Sequence, residues 1–120
     1  MKETIISIAK WHEETFPDAT LDGQIEKYNE EYDEFYEANT EENMISELAD
    51  MFIVVCGIAR FSAMDGLFYF HEVDHELGKS NISFEQLSNA IDKKMETNRK
   101  RVWAKTAEGT YHHTNKEFKK

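Results

Sequence analysis

From Leu21 to Val102 the apolar residues return every three or four positions, and no proline interrupts them. That period matches the turn of an α-helix, and no alternating apolar and polar run lasts long enough to suggest a strand. Pro17, the single proline of the 120 residues, ends a first helix with the stripe Ile5, Ile8, Ala9, His12 and Phe16. His12 reads as a packed member of that stripe rather than a ligand. A second helix is predicted over about 21–38, capped by Thr20 and buried through Leu21, Ile25, Tyr28, Tyr32 and Phe35. Asn39 and Thr40 mark a turn and a new N-cap. The third helix carries Met44, Leu48, Met51, Val55 and Ile58 on one side, turns apolar nearly all round, and is expected at the centre. A weaker helix covers 63–77 with Gly78 as its C-terminal cap. Ser83 with Gln86 then opens a last helix, carried to about Lys105 by Phe84, Leu87, Ile91, Met95 and Val102. The expectation is all-α: a four- to five-helix bundle in one domain over 1–105, followed by a polar, loosely held tail over 106–120.

The longest uninterrupted apolar run, Met51 to Cys56, is far short of the roughly 20 residues that span a bilayer. No basic stretch followed by an apolar segment opens the chain, so a cytoplasmic protein without membrane contact is expected. Cys56 is the one cysteine, which leaves no internal disulfide or thiolate cluster, and it reads as a small core residue. A net charge of −10 argues against binding long nucleic acid. The charge is also polarised: residues 1–92 hold 21 of the 24 acids but 5 of the 14 Lys and Arg. Such a division suits a ligand that joins cations to anions, such as a metal-bound polyphosphate, and equally a domain that neutralises itself.

The stretch EEYDEFYEANTEENMISELAD, residues 30–50, concentrates the acids. At 100° per residue, Glu31 and Glu34 share one shoulder of the second helix with Gln24 and Lys27, while Glu30 and Glu37 lie further round. Glu47 and Asp50 take the same shoulder of the third helix. A turn at Asn39 and Thr40 folds the two helices into an antiparallel hairpin and brings the pairs level to within a few ångströms at about 1.5 Å per residue. Four carboxylates that close repel unless a cation lies between them, and an all-oxygen set suits Mg²⁺ or Mn²⁺. Glutamate pairs three apart are also common on solvated helices, so a cage and a plain polar face both fit the spacing. Glu34 and Asp50 lie towards the polar side, and closing such a site needs a covering chain such as a second subunit.

On the last helix Lys94, Arg101 and Lys105 share a shoulder, and Asn98 sits within the apolar stripe. Cations at one-turn intervals suit phosphate oxygens, or a solvated basic face. With EExxE at Glu30, Glu31 and Glu34, ExxD at Glu47 and Asp50, the lead-in QIEKYNEE and the closing KKMETNRKRVW, the chain resembles the MazG-like all-α nucleotide pyrophosphohydrolases. The resemblance covers roughly 20–62 and 83–105 and leaves 63–82 unaligned. It implies a helical subunit completed by dimerisation, as a homodimer or homotetramer. It also implies Mg²⁺-dependent hydrolysis of a nucleoside triphosphate, by analogy a deoxynucleotide, to monophosphate and pyrophosphate, in pool housecleaning. Glu31, Glu34, Glu47 and Asp50 would be metal ligands, Glu30 an outer ligand or water-orienting group, and Glu31 the base that takes a proton from water. Lys94, Asn98, Arg101, Lys105, Gln24 and Lys27 would hold the substrate.

Other readings compete. HEVDH, His71 to His75, fits the HExxH zinc-peptidase pattern and Gly78 extends it, but Asn81 stands where a third His belongs and Asp74 puts a charge inside the motif. A polar helix face explains it as well. A non-enzymatic helical interaction or regulatory module, acidic for solubility, is the alternative outside catalysis. Trp11, Phe16, Tyr36 and Trp103 are candidates to stack on a base, although aromatics at helical spacing more often form a core. His112 and His113 have no assigned role.

Overall fold

The computed structural model describes residues 1–101 and the backbone of two short strands, Trp103–Lys105 and Tyr111–His113. Its body is a bundle of α1 (Ile5–Thr15), α2 (Leu21–Glu37), α3 (Glu41–Phe61), α4 (Ala63–Lys79) and α5 (Phe84–Asn98). Short polar side chains set the starts of the helices. Thr20 Oγ1 accepts from Gly23 N at 3.0 Å, Thr40 Oγ1 from Asn43 N at 3.1 Å, and Ser62 Oγ from Asp65 N at 3.2 Å. Ser83 and Gln86 form the expected capping box, at 3.0 and 2.9 Å. α2 and α3 pack as neighbours across the turn at Asn39, and α3 touches each of the other four helices. Its Leu48, Met51, Val55, Cys56 and Ile58 are fully enclosed. Among the described residues no helix is long and apolar enough to cross a membrane.

Four sequence expectations are corrected. Gly78 does not cap α4, which continues to Lys79. Ser80 caps it, with N–H to the Leu77 carbonyl at 3.2 Å, and Asn81 takes the left-handed conformation at φ 59°. α5 stops at Asn98 rather than near 105: Lys100 and Arg101 close the end by bonds to the Thr97 and Asn98 carbonyls. Trp103–Lys105 instead pairs antiparallel with Tyr111–His113, Trp103 opposite His113. The all-α bundle stands, with this short hairpin following its last helix. Ile5 and Phe84, expected in buried stripes, are 42% and 70% exposed. Each is the first residue of its helix, and helical side chains lean towards the N-terminus, so these two project past the bundle. Val102 lies outside the described residues.

Two contacts fix how the helices meet. Arg60, near the end of α3, donates to the Phe16 carbonyl at 2.9 Å and to His12 Nδ1 at 3.0 Å, and so ties down the end of α1. A guanidinium can only donate, so Nδ1 accepts and the proton sits on Nε2. Gln24 hydrogen-bonds the same ring, and Gly57 makes room for it: a Cβ there would stand 2.8 Å from the imidazole. Burial holds His12 down at a pKa of about 4, so it is neutral at pH 7. At the other end of the chain, Asp92 on α5 accepts from the backbone of Lys2 and Glu3 at 2.8 and 3.0 Å, and Arg99 pairs with Glu3 at 2.7 Å.

Candidate functional site

The α2–α3 hairpin brings carboxylates from both helices together. Oxygens of Glu31, Glu34 and Glu47 lie within 4.8 Å of one another, with Glu31 buried, Glu47 half-buried and Glu34 exposed. Glu31 Oε1 and Glu47 Oε1 are enclosed without a donor from another residue, and the two carboxyls contact each other. An enclosed anionic oxygen without a donor is costly. Burial first, and then the charge of Asp50, push the Glu31 carboxyl up to about 8, against the pull of Lys27. Glu47 is also raised, again chiefly by burial, while its contact with Glu31 works the other way. Both shifts favour a proton within the Glu31–Glu47 pair when no cation is there.

The surrounding residues divide by position. Lys27 Nζ lies 3.5 Å from Glu31 and 3.9 Å from Glu30, so it and Glu30 flank the cluster. Asp50 is not within the three-carboxylate group. Its Oδ2 meets Lys94 Nζ of α5 at 3.1 Å, and burial nevertheless raises its pKa. Lys94 also lines a groove of about 460 Å³ between α3 and α5, together with Asn98 and Arg101. Asn98 is buried and accepts from Arg101 Nη1 at 3.5 Å. Lys94 of α5 and Arg101 beyond its end thus adjoin the acids of the hairpin. Gln24 does not join them, because its amide is engaged with His12. Trp11 and Phe16 are core residues, edge-to-face at 5.3 Å, and show no open face for stacking. Tyr36 is 54% exposed but gives its hydroxyl to Glu76 at 2.9 Å. Lys105 and Trp103 fall on the first strand rather than on α5, and their side chains lie outside the described residues.

A polar seam between α2 and α4 has no counterpart in the sequence reading. Tyr28 donates to Glu72 at 2.6 Å, and Tyr32 and Tyr36 both donate to the buried Glu76. Burial and the Glu72 carboxylate raise the Tyr28 phenol, which remains a donor at any ordinary pH. The tyrosines recur every four residues opposite carboxylates four apart, a signal visible only once the segments are known to face each other. The seam also answers HEVDH: Glu72, the residue that a zinc peptidase would use as base, is committed to Tyr28, while His71 and His75 are exposed. Among the described residues, no third donor joins them. No protein-family model, curated protein or solved structure matches the chain.

Proposed function

We propose that this protein is a Mg²⁺-dependent nucleoside triphosphate pyrophosphohydrolase of the MazG-like kind, acting on deoxynucleotides in pool housecleaning. The observation that carries this reading is the pair of enclosed Glu31 and Glu47 oxygens that no donor from another residue serves, inside a three-carboxylate cluster that adjoins a cationic groove. The donors suit the ion: all are carboxylate oxygens, they come from two helices, and the exposed Glu34 leaves one side open to a substrate. Glu31, Glu34 and Glu47 would hold Mg²⁺, and Asp50 would join them when Lys94 turns from it to a phosphate. Bound there, the ion would neutralise phosphate oxygens and make an attacking water more acidic.

The chain's own groups supply the rest. Lys94 and Arg101 place charge and paired donors against the phosphate chain, and Lys27 lies on the other side of the acids. Water adds its oxygen to one phosphorus of the α–β linkage. The other phosphorus leaves with the bridging oxygen, and the monophosphate and pyrophosphate separate. With the ion bound Glu31 would be ionised, and as a carboxylate it would take the proton released by water, while Glu30 would orient the water from the rim.

The reading also calls for a second copy. Met64, Leu67 and Phe68 on α4 are 76%, 65% and 62% exposed, with Phe61 beside them at the end of α3, an apolar face that suits a homodimer. The same face favours the second reading, a non-enzymatic interaction module. Incubation with canonical and damaged nucleoside triphosphates and Mg²⁺ separates the two. Monophosphate and pyrophosphate are expected, with turnover lost in Glu47→Gln and in EDTA. Orthophosphate as the product, or activity indifferent to both treatments, contradicts the proposal.

A further inference from the structure

The α3–α5 groove does more than carry cations. We propose that it is the subsite for the nucleoside end of the substrate, with Asn43 and Ser46 meeting the edge of the base; this rests on the nucleotide reading above. Its place follows from Lys94, which lines the groove and reaches Asp50 at 3.1 Å, and from Ser46, the neighbour of Glu47 in the chain. A phosphate chain bound across Lys94 at the cluster leads into the groove at its other end.

The lining has the chemistry of a nucleoside. Ile45 and Ala90 give an apolar surface for the flat face of a base, while Asn43, Ser46 and Thr97 give amide and hydroxyl groups for its edge and sugar. The volume of about 460 Å³ lies within the roughly 300–1,000 Å³ of small-molecule sites. Thr40 Oγ1 caps α3 by accepting from the Asn43 backbone N–H, so the Asn43 side-chain amide is not spent on the cap. Two other cavities fit less well. In one, Glu3, Asp92 and Arg99 are already bonded to each other or to the N-terminal backbone. The other, at the α4–α5 corner, is lined by Asp74 and Asn81 without any cation and touches neither α2 nor α3.

An amide offers both a donor and an acceptor, whereas a carboxylate only accepts, so Asn43→Asp is expected to reorder the preference among bases. Ala90→Phe fills the groove and is expected to raise KM by about 10-fold or more, with kcat within about 3-fold. Mapping of backbone amide shifts on the wild-type protein, with dAMP, dCMP, dGMP and dTMP as probes, provides an arm independent of turnover. Shifts concentrated at 43–46 and 90–97 support the subsite. No shifts, or shifts centred elsewhere, overturn it, as does an unchanged KM and base ranking in both variants. The outcomes remain distinguishable from those of the reaction itself. A protein that hydrolyses nucleotides with the groove unperturbed loses only this subsite. A protein without turnover whose groove binds the monophosphates keeps the subsite and loses the reaction.

Discussion

Glu31 stands where burial, like charge and a lysine act on one carboxyl, and its response to pH is the most direct consequence. Its folded pKa is raised from 4.5 to about 8, so its stabilising contribution is complete below about pH 4.5 and is lost as pH rises through 8. His12 works oppositely: lowered from 6.5 to about 4, its contribution is complete above 6.5 and is lost as pH falls through 4. Thermal melts in EDTA are expected to show stability falling on both sides of mildly acidic pH. Glu31→Gln should remove much of the alkaline fall, adding roughly 1–3 kcal/mol at pH 8, and keep the acid limb. Mg²⁺ should raise the wild-type midpoint at pH 8 far more than at pH 5. At this scale the sequence was informative about Glu31, Glu34 and Glu47, because two helices joined by a short turn bring residues at matched distances together. It set Asp50 beside them as a fourth ligand, but the partner that draws Asp50 aside, Lys94, lies 44 positions away and depends on how α5 crosses α3.

The helices were legible wherever an N-cap and an apolar stripe agreed, as at Thr20, Thr40 and Ser83. Their C-terminal ends were less so. The pattern from Phe84 reaches Val102 without a break, and what stops α5 is the local closure at Thr97 and Asn98, followed by a strand whose partner lies at 111–113. The placement of α4 was not legible at all. It depends on Gly66, where a Cβ would lie 2.7 Å from the Ala59 Cβ and 2.9 Å from its Cα, backbone that cannot swing aside. Gly66→Ala should force α4 away from α3 and cost about 1–3 kcal/mol, despite the better helix propensity of alanine, as measured by chemical denaturation. A neutral or stabilising effect would mean that the two helices do not cross so closely.

In the whole molecule, Lys94 of α5 and Arg101 just beyond its end lie against the acidic hairpin, so charges that are separate in sequence meet at one groove. The exposed stripe of Met64, Leu67 and Phe68 lies on α4, the helix for which the sequence resemblance gave no alignment. If that face joins two copies, Leu67→Glu combined with Phe68→Glu should convert a dimer to a monomer in sedimentation velocity, with the helical circular dichroism retained. A wild-type protein that is already monomeric at tens of micromolar would remove the covering subunit from the account. The central claim is that Glu31 and Glu47 exist to hold a cation, and calorimetric titration with Mn²⁺ in buffers of different ionisation enthalpy tests it. At pH 7 the account predicts binding accompanied by release of about one proton, both abolished in Glu47→Gln, with the proton release alone lost in Glu31→Gln if binding survives. No binding by the wild-type protein, or binding unaltered in Glu47→Gln, would contradict it.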